Sequence, residues 1–125
     1  MKIYIRIMNI CIIMHKDLIM DLDKLRLEKL KAISDETRLE LIGLLRHGGE
    51  LCGCDFEKMI NKSQSTISRH LKKLELADII ESRKDGVKVM YKIKDSQIFK
   101  LFAVLDYLIK REQKYEKILQ IQEKI

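Results

Sequence analysis

The chain has 125 residues, of which 46% are hydrophobic and 35% charged, and its formal net charge is +6. One domain is expected from this length, since domains commonly hold about 100–200 residues. Proline is absent, which favours a mostly helical fold. Glycine-rich nucleotide-binding loops and paired catalytic groups are also missing, so the sequence predicts neither an enzyme nor a required nucleotide cofactor.

The positive charge is concentrated in one part of the chain. Between Lys58 and Lys94 there are ten Lys or Arg and four acidic residues, whereas the remaining residues hold 15 of each sign. The whole excess of +6 therefore lies within this segment. Such a concentration predicts a polyanionic partner.

The N-terminal segment 1–20 is apolar but does not have the pattern of an export signal. Arg6 interrupts it and no small-residue cleavage site follows, so we expect neither a signal peptide nor a membrane span. Three cysteines form an odd set and argue against a disulfide scaffold. Both observations predict a protein of the reducing cytoplasm.

Two segments are predicted before residue 33. Residues 1–16 are predicted to form an N-terminal arm. Its residues 1–13 fit either a short strand, because Ile3, Ile5 and Ile7 alternate with other residues, or an ordered arm. The chain then follows a helical pattern over about residues 17–32, because its leucines recur on one face.

A second helix and a short third helix are predicted next. Ser34 is placed to cap the second helix, and Gly48 with Gly49 ends it. Its core-facing residues are expected to be Leu39, Ile42 and Leu45. The third helix covers about residues 55–60 and is followed by a tight turn.

The segment 62–80 has the pattern of a helix that reads DNA. Ser63 can cap a helix that starts at Gln64, with an apolar stripe formed by Ile67, Leu71, Leu74 and Ala77. Small polar side chains at the start of such a helix reach base edges in a major groove, and cations further along meet phosphates. Taken alone, the pattern fits an ordinary solvated helix equally well. The predicted DNA contacts are Ser63, Gln64, Ser65, Thr66, Ser68, Arg69, His70, Lys72 and Lys73, with packing as the alternative role of His70.

A basic β-hairpin follows this helix. Two strands are predicted over residues 79–83 and 87–93, joined by a turn at Asp85 and Gly86. The inner face of the second strand is expected to carry Val87, Val89, Tyr91 and Ile93. The cations predicted to grip phosphates beside the groove are Arg83, Lys84 and Lys88. The whole order predicts a winged helix-turn-helix, a mainly α (α+β) fold with a two-stranded wing.

The chain ends in a long helix predicted over residues 97–123. Its apolar stripe is longer than one small domain can cover, so we expect it to pair with a second copy together with the first helix. Residues 17–125 would then form one DNA-binding domain with dimerising terminal helices. A homodimer would present two such helices to successive major grooves about 34 Å apart, which predicts a palindromic double-stranded operator.

Residues Leu25 to Asp95 resemble the ArsR-type family of repressors, named for the arsenical resistance operon. The resemblance rests on four stretches, LKAISDETRLELIGLL, ELCGCD, SQSTISRHLKKLELADII and ESRKDGVKVMYKI. It implies a dimeric winged helix-turn-helix repressor that leaves its operator when a metal or metalloid ion binds. One departure is Asp78, where the family usually has glycine, although Asp also tolerates such turns.

The stretch ELCGCD contains the candidate metal ligands, Cys52 and Cys54. In a helix or strand, side chains at i and i+2 point in nearly opposite directions, so this pair shares an ion only at a bend, which Gly53 favours. Thiolates select arsenic(III), antimony(III), cadmium, lead, copper(I) or zinc. The resemblance implies further ligands. Glu57 stands where the arsenic-sensing pattern has a third cysteine, and Cys11 is the candidate that would reach across the dimer.

Three functions remain open at this point. The first is an operator-binding repressor released by a thiophilic ion at Cys52 and Cys54. The second is a regulator of the same fold with a redox thiol switch or with no metal effector, in which the two cysteines could be small buried residues near a turn. The third is a small thiol redox or metal-carrier protein, which the lack of a Cys-x-x-Cys pair and of a thioredoxin-like βαβ pattern disfavours.

Overall fold

A computed structural model of the protein describes residues 2–110 and 113–124. These residues divide into two compact units, one ending at Ile93 and the other beginning at Lys94. No helix within the described ranges is both long and apolar enough to cross a membrane.

The described residues form six helices and three strands. Their bounds are α1 Lys2–Ile33, α2 Glu36–Gly48, β1 Glu50–Cys52, α3 Gly53–Met59, α4 Gln64–Leu76, β2 Ile80–Asp85, β3 Lys88–Ile93, α5 Ile98–Lys110 and α6 Gln113–Glu123. Helices α3 and α4 with the turn between them make the helix-turn-helix, and β2 with β3 makes the wing. The predicted winged helix-turn-helix is therefore confirmed.

Helix α1 begins at Lys2, so the short strand considered for the first residues is wrong. The alternation of Ile3, Ile5 and Ile7 extends over too few residues to separate a strand from a helix that is apolar on several sides. Glycine and proline do not occur before Gly43, and nothing in the sequence interrupts the helix once it forms. The predicted end near residue 32 is confirmed.

Helix α2 begins one residue later than a Ser34 cap would allow. The Ser34 hydroxyl donates to the Leu30 carbonyl at 2.7 Å and so remains part of the end of α1, while Asp35 takes the N-cap position. Leu39 is 44% exposed, which contradicts its predicted place in the core, whereas Ile42 and Leu45 are buried. The predicted end is confirmed, because Gly49 caps α2 with a φ of 75°.

The sheet has three antiparallel strands in the order β1-β3-β2, one more than predicted. Strand β1 pairs with β3 so that Cys52 lies opposite Met90. In the wing, Asp85 pairs with Lys88, which leaves Gly86 and Val87 as the two-residue turn. Val87 is fully exposed there, so its predicted place on the inner face is wrong.

An apolar core in the first unit holds α4 in place. Its fully buried large side chains are Phe56, Leu41, Ile42, Leu45, Ile67, Leu71, Leu74 and Ile80. Burying one such side chain stabilises a fold by roughly 1.5–3 kcal/mol, and α4 contributes Ile67, Leu71 and Leu74. These contacts fix which face of α4 points inward and leave the opposite face to solvent.

The second unit contains α5 and α6, where the sequence predicted one helix over residues 97–123. Residues 111 and 112, between the two helices, lie outside the described residues. Helix α5 is rich in large apolar side chains that are exposed, among them Val104, Tyr107 and Leu108.

Candidate nucleic-acid interface and thiol site

Helix α4 starts at the predicted residue with the predicted cap. The backbone N–H of Thr66 donates to the Ser63 hydroxyl oxygen at 3.3 Å, which satisfies one of the free N–H groups of the first turn. The Ser63 hydroxyl donates in turn to Thr66 Oγ1 at 2.8 Å. This small polar network fixes the side chains at the end of the helix that would enter a groove first.

Most residues of the predicted DNA-contact set are exposed on the outer face of α4. Its exposed members are Ser63, Gln64, Ser65, Ser68, Arg69, Lys72 and Lys73, and Thr66 is half-buried. Polar side chains come first along the helix and cations follow, opposite the buried apolar stripe. This arrangement can present hydrogen-bonding groups to base edges and charges to phosphates.

His70 does not share that exposed face, because it is half-buried against α2. Its Nδ1 lies 3.0 Å from Arg38 Nη1. A guanidinium can only donate, so Nδ1 must accept and the ring is neutral with its proton on Nε2. Of the two roles predicted for His70, the geometry favours packing.

Arg38 connects His70 to the end of α1. Its Nη2 donates to the Lys31 carbonyl at 3.2 Å, and its Nε donates to the Ala32 carbonyl. Desolvation lowers the pKa of His70, against an opposing effect of Asp35. The Asp35 Oδ1 atom is buried, lies 3.8 Å from His70 Nδ1 and has no hydrogen-bond partner within the part of the chain described here.

The wing carries its cations on exposed positions. Arg83 forms an ion pair with Glu50 of β1, and this hydrogen bond lowers the pKa of Glu50. The ion pair therefore connects β2 to β1 across the sheet. Arg83, one of the three cations predicted to contact phosphates, is thus already paired with a carboxylate. Lys84 and Lys88 are exposed near the wing turn.

The thiol stretch forms the beginning of α3. Cys52 is the N-cap residue, and its Sγ accepts a hydrogen bond from the Asp55 backbone N–H at 3.2 Å. The Asp55 carboxylate accepts one from the Cys52 backbone N–H at 2.9 Å. This is a capping box in which a cysteine sulfur takes the position usually held by a Ser or Thr hydroxyl.

Cys52 and Cys54 converge at the predicted bend. The structure joins their sulfurs in a disulfide with a Cα–Cα distance of 5.2 Å, whereas the sequence led us to expect free thiols. The bend arises where the extended Cys52 meets the first turn of α3, and Gly53 does not have a positive φ there. A Cβ on Gly53 would come no closer than 3.9 Å to Tyr91, so the bend does not require glycine.

The same convergence fits a metal ion once the disulfide is reduced. Ligand atoms of Cys52, Cys54 and Asp55 all lie within 4.8 Å of one another. Two soft sulfurs and one carboxylate suit a thiophilic ion. Within one chain, Cys11 is not part of this group among the residues described; it is an exposed free thiol on α1. Glu57 is exposed and lines the same cavity as Cys54.

Sequence reasoning missed three residues of this region. Asp55 could have been found, because a capping residue followed three positions later by an acid is a local signal. Arg38 and Glu50 could not, since their partners lie 32 and 33 residues away along the chain.

Comparisons with known proteins agree with this fold. The family model described as "Bacterial regulatory protein, arsR family" matches residues 35–82, which include the two thiols and α4. The cadmium resistance transcriptional regulatory protein CadC of Listeria innocua is 42% identical over 74 residues, 59% of this chain and 62% of that protein. The arsenical resistance operon repressor of Staphylococcus aureus is 40% identical over 80 residues, 64% of this chain and 69% of the repressor.

A solved structure shares the fold. The homodimeric winged helix-turn-helix DNA-binding domain Mb0332 of Mycobacterium bovis superposes with a TM-score of 0.66 at 22% identity, over 74% of this chain and 85% of that one. With the CadC relatives, by contrast, the match spans 62% of their length. The family match and the 40% identity to the staphylococcal repressor decide the classification: the chain belongs to the arsR family of bacterial regulatory proteins.

Proposed function

We propose that this chain is a cytoplasmic transcriptional regulator, which binds an operator as a repressor and releases it when a thiophilic ion binds at Cys52 and Cys54. The observation that carries the proposal is the position of the thiol pair. Its first member, Cys52, caps α3, the helix that immediately precedes α4, and both cysteines share a cavity with the exposed residues Gln64 and Ser68 of α4. A ligand at the thiols would therefore act next to the surface that meets DNA.

Support for DNA binding comes from the two faces of α4. Three buried apolar side chains hold one face, while polar groups and the cations Arg69, Lys72 and Lys73 occupy the other. The wing adds Lys84 and Lys88 at a second surface. A helix in the major groove and a basic hairpin beside the helix would both contact phosphates that border that groove.

Support for a homodimer comes from apolar surface. Leu18, Leu22 and Leu25 of α1 and several large residues of α5 are exposed, although side chains of this kind favour burial. Covering them with a second copy would bring two α4 helices together and make a palindromic operator the natural partner.

Replacement of Arg69 tests the DNA-binding face. Duplexes selected from a random pool by the native protein serve as the operator, and binding is measured by fluorescence anisotropy. We expect Arg69→Ala to weaken binding about 5- to 150-fold, which corresponds to one lost contact of about 1–3 kcal/mol. Arg26→Ala is the matched control, because Arg26 is an exposed arginine on α1 paired with Asp23. Equal affinity of the two variants would place the interface elsewhere.

Support for ion binding comes from the three converging ligands and from the names of the relatives. The Listeria relative is named for cadmium resistance and the staphylococcal one for arsenical resistance. Arsenic(III), antimony(III), cadmium, lead or zinc would act here as an inducer, and no cofactor would be required. In the reduced protein Cys52 and Cys54 would supply thiolates, with Asp55 as an oxygen ligand.

Cadmium titration of the reduced protein tests the ligands directly. The native chain should develop a sulfur-to-metal charge-transfer band in the ultraviolet with one equivalent of ion, because thiolates bind the metal. Cys52→Ser and Cys54→Ser should each lose most of the band, while Cys11→Ser tells whether a third sulfur takes part. A band of full height in the protein without Cys52 and Cys54 would contradict the assignment.

The disulfide favours a second candidate, a redox switch at the same pair. In this reading, oxidation of Cys52 and Cys54 changes operator affinity without any metal. Operator binding by oxidised and reduced protein, measured with a chelator present, separates the two. A large difference supports the redox switch, and equal affinities leave ion binding as the signal.

A further inference from the structure

A cavity of about 330 Å³ lies between the start of α3, one side of α4 and the wing turn. Cys52 and Cys54 form one wall, Ser68 of α4 contributes to another, and Lys88 comes from the wing. Glu57, one turn after Cys54, also lines it. The disulfide thus faces a space large enough for a small molecule, bounded by side chains of both charges.

The two cysteines differ in their exposure to solvent. Cys52 is 3% exposed, whereas Cys54 is an exposed residue. Thiol–disulfide exchange requires an incoming thiolate to reach the sulfur that it attacks. Both residues line the cavity, but an external thiol reaches the exposed Cys54 more readily than the buried Cys52.

The leaving sulfur is also prepared by the fold. When Cys54 Sγ is attacked, the electron pair of the broken bond goes to Cys52 Sγ. That atom already accepts a hydrogen bond from the Asp55 backbone N–H at 3.2 Å. A donor aimed at a sulfur that gains negative charge stabilises it, so attack at Cys54 leads to the better leaving group.

We propose that the cavity is a site for a low-mass thiol of the amino-acid type, which forms a mixed disulfide with Cys54. The thiolate RS⁻ attacks Cys54 Sγ, an RS–S bond to Cys54 forms, the Cys52–Cys54 bond breaks, and Cys52 leaves as thiolate. The protein disulfide is the electron acceptor, so no further oxidant is needed. Lys88 would bind the carboxylate of the incoming thiol and Glu57 its ammonium group.

One consequence rests on the proposed function. The cavity is bounded by Gln64 and Ser68 of α4 and by Val87 and Lys88 of the wing. In the proposed complex a DNA strand would pass between α4 and the wing. An adduct on Cys54 would lie in that space and would hinder the approach of DNA.

Mapping of the adduct in the native chain tests the exchange step. Oxidised protein is treated with free L-cysteine and quenched with iodoacetamide, and the peptide containing both residues is sequenced by tandem mass spectrometry. We expect the cysteinyl group on Cys54 and the carbamidomethyl group on Cys52. The reverse assignment, or an equal mixture, overturns the proposal.

Single-cysteine proteins provide a second measurement that does not depend on the disulfide. Cys11 is exposed and is replaced by Ser in both proteins. With L-cystine as the probe, the protein retaining Cys54 should form its mixed disulfide at least about tenfold faster than the one retaining Cys52, because Cys54 is exposed and Cys52 is buried. Similar rates in two folded proteins overturn the proposal.

Charge reversal at the cavity tests the ligand class. For each protein, the exchange rate with L-cysteine is divided by the exchange rate with neutral 2-mercaptoethanol. A change in the general reactivity of the disulfide affects both rates and so cancels in this ratio. Lys88→Glu and Glu57→Lys should each lower this ratio, by about threefold to tenfold for one lost ion pair. An unchanged ratio in both variants overturns the assignment of an amino-acid thiol.

A stable cysteinyl adduct on Cys54 can be made in the protein that lacks Cys11 and Cys52. Its operator binding tests whether the adduct hinders the approach of DNA. Its affinity should fall by about tenfold or more relative to the same protein without the adduct. If the adduct forms and the affinity for the operator is unchanged, the proposed hindrance of DNA binding by the adduct is wrong. If the unmodified protein binds no operator, the proposed function itself fails, whereas the exchange results are unaffected.

Discussion

At the residue scale, His70 joins α4 to the rest of the first unit. Its Nδ1 accepts from Arg38, and Arg38 in turn holds two carbonyls at the end of α1. Protonation of Nδ1 would remove this acceptor and place a positive ring beside the guanidinium. The hydrogen bond therefore requires a neutral His70, in agreement with the desolvation that lowers the pKa of His70.

This arrangement makes the stability of the protein depend on pH. Because the pKa of His70 is lowered below its ordinary value of 6.5 in the folded state, the unfolded chain takes up the proton more readily. The free energy of unfolding should thus be retained above pH 6.5 and decrease as the pH falls from there through the folded pKa. Urea unfolding at several pH values measures the effect.

His70→Asn is the matched comparison for that experiment. An asparagine oxygen can accept from Arg38 but does not titrate, so the variant should lose less stability than the native protein between neutral and mildly acidic pH. All other ionisable groups are common to both proteins. Parallel pH profiles would show that His70 has no part in the dependence.

The residues of the site that could be predicted are those whose partners are close in sequence. Ser63 caps α4 by accepting a hydrogen bond from Thr66, and Cys52 and Cys54 meet at a local bend. Short sequence patterns were therefore sufficient to predict the cap and the bend. The contacts of Arg38 with His70 and of Arg83 with Glu50 join segments far apart along the chain. A local pattern carries no information about such pairs, and only the folded arrangement identifies them.

At the scale of single elements, the end of α4 is a Schellman motif. The Ile79 N–H donates to the Leu74 carbonyl at 3.0 Å, and the Asp78 N–H donates to the Glu75 carbonyl at 3.0 Å. Asp78 has a φ of 58°, in the left-handed region that favours glycine. The sequence pointed to this position as a departure that Asp tolerates, and the structure shows Asp there in the glycine-like conformation.

Asp78→Gly should therefore stabilise the fold. Relief of the left-handed conformation is expected to raise the free energy of unfolding by up to about 1 kcal/mol, measured by urea denaturation. Asp78→Ala is the control, because it removes the carboxylate but keeps the Cβ. Equal stability of the Gly and Ala variants would show that backbone conformation is not the cause.

Helix α1 and strand β1 show why other elements were predicted less well. Five residues of alternating isoleucines fit either a strand or an apolar helix, and only the continuation of the chain decides between them. Strand β1 has three residues and exists because β3 offers it an edge. Its formation depends on a partner about 40 residues later, which no local pattern near Glu50 reports.

At the scale of the whole molecule, charge and apolar surface are separated along the chain. The excess positive charge lies in residues 58–94, which contain α4 and the wing, whereas the exposed apolar residues of α1 and α5 lie on either side. Such a division suits a protein that meets a polyanion with its middle segment and a second copy with its ends. Cys52 and Cys54 lie at the start of α3 and share a cavity with residues of α4.

Release of operator DNA by a thiophilic ion tests this account most directly. Reduced protein, treated with a chelator that is then removed, is bound to a selected operator duplex and titrated with arsenic(III) or cadmium. Saturating ion should weaken operator affinity by about 5- to 150-fold, the usual range of coupling between two sites. By linkage, the operator should weaken ion binding by the same factor. The protein with Cys52→Ser and Cys54→Ser should bind the operator and ignore the ion. Operator affinity unchanged by every thiophilic ion, or an equal response from the protein without the two cysteines, would contradict release by an ion at Cys52 and Cys54.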